Sequence, residues 1–453
     1  SGVLMKHAYS TLLDVDNEGK VVPDLAESYE MKSDTEYVFK LREDACFWDG
    51  TPVTAQDVKF SLDRAKGMPK TKSNTSKIEE VTVNGDHEVT IKLTEPYAAF
   101  KTIVTQHNLS ILSEKAVTEA GDSYGDVDNL LGSGPFKVTE WVPNDHYTLV
   151  RNDNYWGEMP IATSITCRVI PEGSARTIAL EAGEIDVVWS VDPTDCANVE
   201  SNPDVKLLSQ PSTGIDYVGM NTQKEKFSDK RVRQAINYAL DKQTFVDTII
   251  EGRGLVANSY INAAIPGWTD EVEAYPYDPE KAKELLAEAG YPDGFECSIF
   301  VNGDLRTRSA QILQAQLADV GIKVDISTYE WGALLDTLNA GEHEMFLLGW
   351  SNTSFDPDGS TYQLFYSGNH GATGNRAFFS NDKVDELILS AQRESEESKR
   401  MELYKELQFV LHEESPWCPL YYKENNVGVR ADLKGFTLHA GAQHYLGNCH
   451  YEE

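Results

Sequence analysis

The residues of this 453-residue chain best suited to metal or nucleophile chemistry are its ten histidines and six cysteines, and their spacing supports neither. Cys46, Cys167, Cys196, Cys297, Cys418 and Cys449 stand far apart with no CxxC pair, which excludes a zinc ribbon. Cysteines so widely spaced in a chain this long need no disulfide framework. His444, Cys449 and His450 have the side chains of a transition-metal site, but they fall in a C-terminal segment that reads as a surface tail. The run Asp14-Val-Asp-Asn-Glu-Gly19 opens like a calcium loop. Its twelfth position is Leu25, where a bidentate glutamate is required, so a turn between strands is the reading that remains. There is no GxSxG, HExxH, phosphate loop or GxGxxG. The chemistry to look for is therefore recognition rather than turnover, with no enzyme activity and no cofactor implied.

The formal charge of −33 excludes nucleic acid as a partner, since phosphate binding needs a basic surface. It equally excludes adsorption to an anionic membrane through a basic patch. No apolar run is long enough to span a bilayer. The chain opens on Ser1-Gly2 without a leader, which reads as a mature-form start. Eight tryptophans and 21 tyrosines are enough to fill a core and still line a cleft.

Strands and helices interleave along the whole length, the pattern of an α/β protein. Residues 37–41 alternate as a strand. Thr54 is a helix N-cap with Asp57 three residues on. Residues 81–93 read as a hairpin about Asn84-Gly85-Asp86. Further strands are expected at 136–141, 147–151, 217–221, 322–326 and 345–350. Ser228 is read as the cap of a helix whose buried side carries Val232, Ala235, Ile236 and Ala239. Asp278 caps a helix with Pro279 at its first position and Gly290 just past its end. Helices also follow at 308–320, 331–340, 383–390 and 399–412. No disordered linker separates these elements, so domains would be joined by short strands.

Five blocks carry a family resemblance. The first is Val22-Pro-Asp-Leu-Ala-Glu-Ser-Tyr29 with Phe39-Lys-Leu-Arg42 and Phe47-Trp-Asp-Gly-Thr-Pro-Val-Thr-Ala-Gln-Asp-Val58. The second is Gly132-Ser-Gly-Pro-Phe-Lys-Val-Thr-Glu-Trp141 with Arg151-Asn-Asp-Asn-Tyr-Trp156, and the third Ala182-Gly-Glu-Ile-Asp-Val-Val188. The fourth is Met220-Asn-Thr222 followed by the segment from Phe227 to Asp241. The fifth joins Gly349-Trp350, Asp356-Pro357, Asn375-Arg-Ala-Phe-Phe-Ser-Asn381 and Arg400-Met-Glu-Leu-Tyr404. Together they resemble extracellular solute-binding protein family 5, the peptide- and nickel-type substrate-binding proteins of ABC transporters.

The resemblance implies an α/β fold: a two-lobed periplasmic-binding-protein-like clamp (type II, cluster C) with an extra inserted domain. Lobe I would take residues 1–17, 133–225 and 426–453, the inserted domain 18–132, and lobe II 226–425. It implies an extracytoplasmic monomer, periplasmic or lipid-anchored after loss of a leader. Such a protein closes about a hinge on di- or oligopeptides and hands them to ABC permease subunits. Members usually carry an opening strand before the segment matching Val3 to Leu13, which this sequence lacks.

The resemblance also implies a ligand site. In peptide binders of the family, an aspartate three residues after the Gly-Trp tryptophan pairs with the ligand ammonium. Here the tryptophan is Trp350 and the third residue on is Thr353, so Asp356 or another acid would have to take that role. The arginine that some oligopeptide binders place three residues before this tryptophan is Leu347 here. Trp331, 19 positions upstream, keeps an aromatic of the oligopeptide binders. Ser351 and Asn352 would offer hydroxyl and amide groups. Arg376 is a candidate partner for a ligand carboxylate, and Tyr217 falls near the expected crossover between lobes. With the ammonium anchor replaced, a non-peptide solute stands as the alternative: a nickel chelate (with His370 a candidate ligand), an oligosaccharide or an opine-like compound.

Overall fold

The computed structural model describes residues 2–452, the side chain of Thr373 apart. The chain forms two compact units: unit 1 runs to Gln210 and resumes at Asn425, and unit 2 is Pro211–Glu424.

Unit 1 begins with the helix Gly2–Ala8 and a short antiparallel pair, β1 (Leu13–Val15) and β2 (Val21–Pro23). Between them Asp16 Oδ1 accepts the N–H groups of Glu18 and Lys20, both at 2.9 Å, so the calcium-like run is a self-bonded turn. Next come β3 (Ala26–Ser33), β4 (Glu36–Leu41), β5 (Ile78–Gly85) and β6 (Glu88–Leu93), in spatial order β3-β4-β6-β5. Alternation decides which face is buried. Tyr37, Phe39 and Leu41 of β4 and Val89, Ile91 and Leu93 of β6 share a core with Val58, Leu62 and Ala65 of the helix Ala55–Lys66. That helix starts where its cap predicts: the Thr54 N–H donates to Asp57 Oδ2 at 2.9 Å.

A third antiparallel sheet follows, β7 (Phe136–Val142), β8 (His146–Arg151) and β9 (Ser164–Arg168). Phe136, Val138, Leu149 and Ile165 bury against Leu4, Ala8 and Trp48. The Gly-Ser-Gly-Pro block before β7 has a steric reason. A Cβ on Gly132 would stand 2.0 Å from the Ala8 carbonyl oxygen, and one on Gly134 2.6 Å from that of His7. Trp48 Nε1 then donates to the Gly134 carbonyl at 3.1 Å.

The C-terminal segment is not the surface tail expected from sequence. His444 and His439 are fully buried. His444 Nδ1 accepts the His439 N–H at 2.9 Å, and its ring lies 4.5 Å from that of Trp189. His7, on the first helix, accepts the Leu446 N–H at Nε2 (2.9 Å) and stacks on Tyr445. Aromatic and imidazole packing, which linear spacing does not reveal, holds this segment down. No group of three or more His, Cys, Asp or Glu side chains is arranged to hold a metal among the described residues.

β10 (Val187–Val188) completes the strands of the first 200 residues, and β11 (Val205–Met220) carries the chain from unit 1 into unit 2. Unit 2 adds β12 (Gly254–Val256), β13 (Phe295–Val301), β14 (Ile322–Thr328), β15 (Met345–Ser351) and β16 (Trp417–Arg430), which returns the chain to unit 1. Within unit 2 the order is β16-β11-β15-β13-β14, with β12 on β16. β13 pairs in parallel with β14 and β15, whereas β11 and β15 are antiparallel. Met345 to Leu348 are all buried, the continuous apolar run of a sheet covered on both faces.

Residues 211–225 fall in unit 2, where β11 pairs along β15 from Gly214 to Met220. One expected helix cap is corrected. The helix Lys230–Ala239 is capped by Asp229, which accepts the Arg231 N–H; Ser228 ends a preceding short turn of helix. Asp278 caps Pro279–Glu288 as expected, accepting the Lys281 N–H at 2.9 Å. All six cysteines are free.

Candidate functional site

Every candidate ligand residue read from the sequence lies in unit 2. The site is built on β15, whose end carries Gly349, Trp350 and Ser351 opposite Asp216, Ile215 and Gly214 of β11. The glycine is required by what lies over it. A Cβ at Gly349 would stand 2.6 Å from Asp216 Oδ1. The Asp216 carboxylate is buried, meets Lys423 Nζ at 3.0 Å and has an Arg306 Nη2 at 3.6 Å. Trp350 is half-buried against the cluster of Ile215, Ala257 and Tyr422, and its Nε1 donates to the Gly359 carbonyl at 3.0 Å.

The loop after Trp350 is organised by Asn352. Its Nδ2 donates to the Asp356 carbonyl and to Ser360 Oγ, each at 2.7 Å, and its Oδ1 accepts from Ser354 N (3.1 Å) and Oγ (2.8 Å). Asn352 is buried, so it shapes the turn, while Ser351 beside it is exposed. Phe355 takes a left-handed backbone (φ +55°), unusual for a bulky residue and held here by the bonds on either side.

Asp356 does not offer a free carboxylate. It is buried, and Arg400 grips both of its oxygens, Nη1 to Oδ2 at 2.9 Å and Nη2 to Oδ1 at 2.5 Å. Burial opposes the charge on Arg400, but Tyr404 and Asp356 outweigh it and hold the guanidinium above its ordinary range. The Asp-Pro turn is thus a structural ion pair that pins the loop to the helix Glu397–Glu414. A ligand ammonium would have to compete with Arg400 for this carboxylate. Thr353, half-buried, carries a hydroxyl and no charge.

Trp331 opens the helix Trp331–Asn339 and is 49% exposed, while Leu334 and Leu338 of the same helix are buried. It is therefore a presented surface and not core. Arg376 lies at the other end of that helix: its Nε donates to Asn339 Oδ1 at 3.0 Å, and its carbonyl meets His343 Nε2 at 2.8 Å. Among the described residues no carboxylate forms an ion pair with Arg376. Burial pulls its guanidinium below the ordinary range, with Tyr217 working the other way. Tyr217 is buried and stacked face to face on Trp417, its phenol pushed up by burial, with Arg376 and Arg306 opposing. Asn221 ties β11 to the carbonyls of Gly341 (3.1 Å) and His343 (3.2 Å), a turn-holding role. His370 Nε2 is engaged by the Phe379 carbonyl at 3.0 Å.

The structure thus joins Trp350, Ser351, Asn352 and Thr353 in one loop and links Arg376 electrostatically to Tyr217. It also adds three residues the sequence did not single out: Asp216, Arg306 and Lys423. Arg306 and Lys423 share the Asp216 carboxylate, and Arg376 and Arg306 both oppose the rise of the Tyr217 phenol. The one signal in the sequence was Gly349, whose missing side chain implies a close neighbour, but only tertiary pairing identifies that neighbour as Asp216.

The model of the bacterial extracellular solute-binding proteins, family 5 (middle), matches residues 20–372. The chain is 30% identical to the dipeptide-binding protein of Escherichia coli (strain K12) over 470 residues, covering 96% of this chain and 86% of that protein. It is 31% identical to heme-binding protein A of Haemophilus influenzae over 448 residues, covering 92% and 82%. Its fold matches the periplasmic binding protein DppA from Helicobacter pylori, solved with the peptide STSA, at a TM-score of 0.92 and 29% identity over 99% of this chain and 93% of that one.

Proposed function

Because this chain belongs to the bacterial extracellular solute-binding proteins of family 5, and is a non-enzymatic substrate-binding protein of the ABC-transporter type, we propose that it captures di- or oligopeptides through the carboxylate. The observation that carries this is Arg376: a largely buried guanidinium, oriented by Asn339, with no carboxylate in an ion pair with it among the described residues. A buried cation so placed is stabilised by an anion brought by the ligand, and a guanidinium fork matches a carboxylate geometrically. Trp331 and Trp350 provide apolar surface for side chains, and Ser351 and Thr353 provide hydroxyls for main chain. Capture proceeds by hinge closure of two lobes, one of them carrying the inserted domain, with the ligand stabilising the closed form. The protein acts outside the cytoplasm, in a periplasm or on a lipid anchor, as a monomer that delivers its solute to ABC permease subunits. No helix of the described residues is long and apolar enough to cross a membrane.

A second reading rests on Thr353 and Asp356. With a hydroxyl at the anchor position and the nearby carboxylate committed to Arg400, this loop offers no charge for a free α-ammonium. An N-blocked peptide or an opine-like carboxylate would bind there without that cost. A melting screen of the stripped protein separates the two. Ligand at about 100 times its Kd stabilises by about 2.7 kcal/mol, a visible shift. Free peptides that lose their effect on C-terminal amidation but keep it on N-acetylation support recognition through Arg376. Peptides that are silent in every form, beside a responding sugar or chelate, overturn it.

A further inference from the structure

Unit 1 contains a cavity of ≈ 240 Å³ lined only by residues of that unit. It could hold roughly eight waters at liquid density, or one small organic molecule. Its walls combine the rings of Tyr9, Tyr155 and Tyr445 with the carboxylates of Asp14 and Asp24 and the imidazole of His107. Glu158, exposed, also lines it.

The charges do not balance. Lys6 also lines the cavity and is engaged by Asp14 at 3.3 Å. Asp24 accepts the Thr11 N–H at 2.7 Å, yet forms no ion pair with a cation among the described residues. Burial lifts its carboxyl to about 7, with Asp14 adding to the rise and Thr11 and Lys6 opposing it. Both ring nitrogens of His107 are shielded from solvent without a hydrogen bond of ordinary geometry, although the Gln443 side chain approaches. Buried polar atoms are nearly always satisfied, so a polar guest belongs here. Asp14 and the exposed Glu158 outnumber Lys6, and Asp24 ionises fully once a cation lies beside it, which favours a cation; tyrosine rings attract cations through their quadrupoles. The absence of a three-ligand cluster among the described residues makes an organic cation the better fit than a bare metal ion.

We propose that this unit 1 cavity binds a small organic ammonium ion, with Asp24 as its charge partner and the tyrosine rings as its walls. The site is independent of the solute bound by unit 2. Titration calorimetry on the full chain tests it with two matched pairs: ethanolamine against ethylene glycol, and choline against its uncharged carbon isostere. At least one ammonium ion binds saturably at one per chain, its neutral isostere does not, and a peptide that binds unit 2 fails to displace it. Asp24→Asn keeps an oxygen for the Thr11 N–H and lowers the affinity by about tenfold or more. Glu158→Gln, an exposed change, leaves the fold intact and weakens binding at low salt. If neither ammonium ion binds saturably, or an isostere binds as well as its cation, the cavity is a water-filled packing defect and the proposal fails, whether or not the Asp24 variant folds.

Discussion

Acidification should undo unit 1 well before ordinary carboxylates titrate, and the reason is three histidines held neutral. His7 donates from Nδ1 to the Val3 carbonyl at 2.7 Å and accepts the Leu446 N–H at Nε2. His439 accepts the Gly441 N–H at 3.1 Å, and His444 accepts the His439 N–H at 2.9 Å. Each ring nitrogen that would take a second proton by losing such a bond faces an N–H instead. Burial, the largest cause in all three, brings each from 6.5 down to about 4. The unfolded chain therefore binds more protons than the native one below pH 6.5. The stabilising contribution is complete above that pH and is lost as pH falls toward 4. Linkage gives a loss of about 2 kcal/mol per histidine between pH 7 and 5, or ~6 kcal/mol for the three. Asp24 runs the other way: its carboxyl, raised to about 7, protonates in the native state first and returns ~2 kcal/mol over the same interval. The net loss of ~4 kcal/mol is a large part of a typical domain stability of 5–15 kcal/mol. His107, brought down to about 4 chiefly by burial, adds to it. Urea titrations followed by circular dichroism at steps between pH 7.5 and 4.5 should show a falling midpoint at constant slope. His7→Gln, less stable at neutral pH, should lose less on acidification, because one proton fewer is taken up on unfolding. A midpoint flat from pH 7 to 5, or an unchanged pH slope in His7→Gln, refutes the reasoning.

The loop after Trp350 depends on its ion pair, so Arg400→Met should cost ~3–5 kcal/mol by stranding the Asp356 charge. Replacing both partners with apolar residues should recover part of that in the same urea assay. Gly349→Ala drives a methyl group to 2.6 Å from Asp216 Oδ1 and should lower both stability and solute affinity; Asp216→Ala in the same chain should restore the stability. Arg376→Met keeps most of the packing and loses one hydrogen bond, so its melting temperature should change little. Its affinity for a free-carboxylate ligand should fall by ~2–5 kcal/mol, read by calorimetry. Equal binding of the acid and its amide by the native protein would detach Arg376 from recognition.

Much of this molecule is legible locally. Thr54 with Asp57, and Asp278 with Pro279, announce helix starts because their partners lie within three residues. The alternation of Tyr37, Phe39 and Leu41 gives the buried face of β4 because side chains repeat every two residues. The Gly-Ser-Gly-Pro block and Gly349 announce close approaches without saying to what. Asp229 displaced Ser228 as a cap because both side chains are competent there, and only the path of the chain chooses between them.

The site divides along the same line. Family, α/β class, acidic character and the neutral Thr353 where an acid is expected can all be read from the linear chain, since they are matters of residue type and order. Only the folded chain pairs Asp356 with Arg400, 44 residues away, and leaves Arg376 without a carboxylate in an ion pair among the described residues. It alone set Asp216 over Gly349 and buried the C-terminal histidines that sequence consigned to the surface. A side chain's identity names the interactions it can make, but its charge is available to a ligand only if no partner distant in sequence has already taken it.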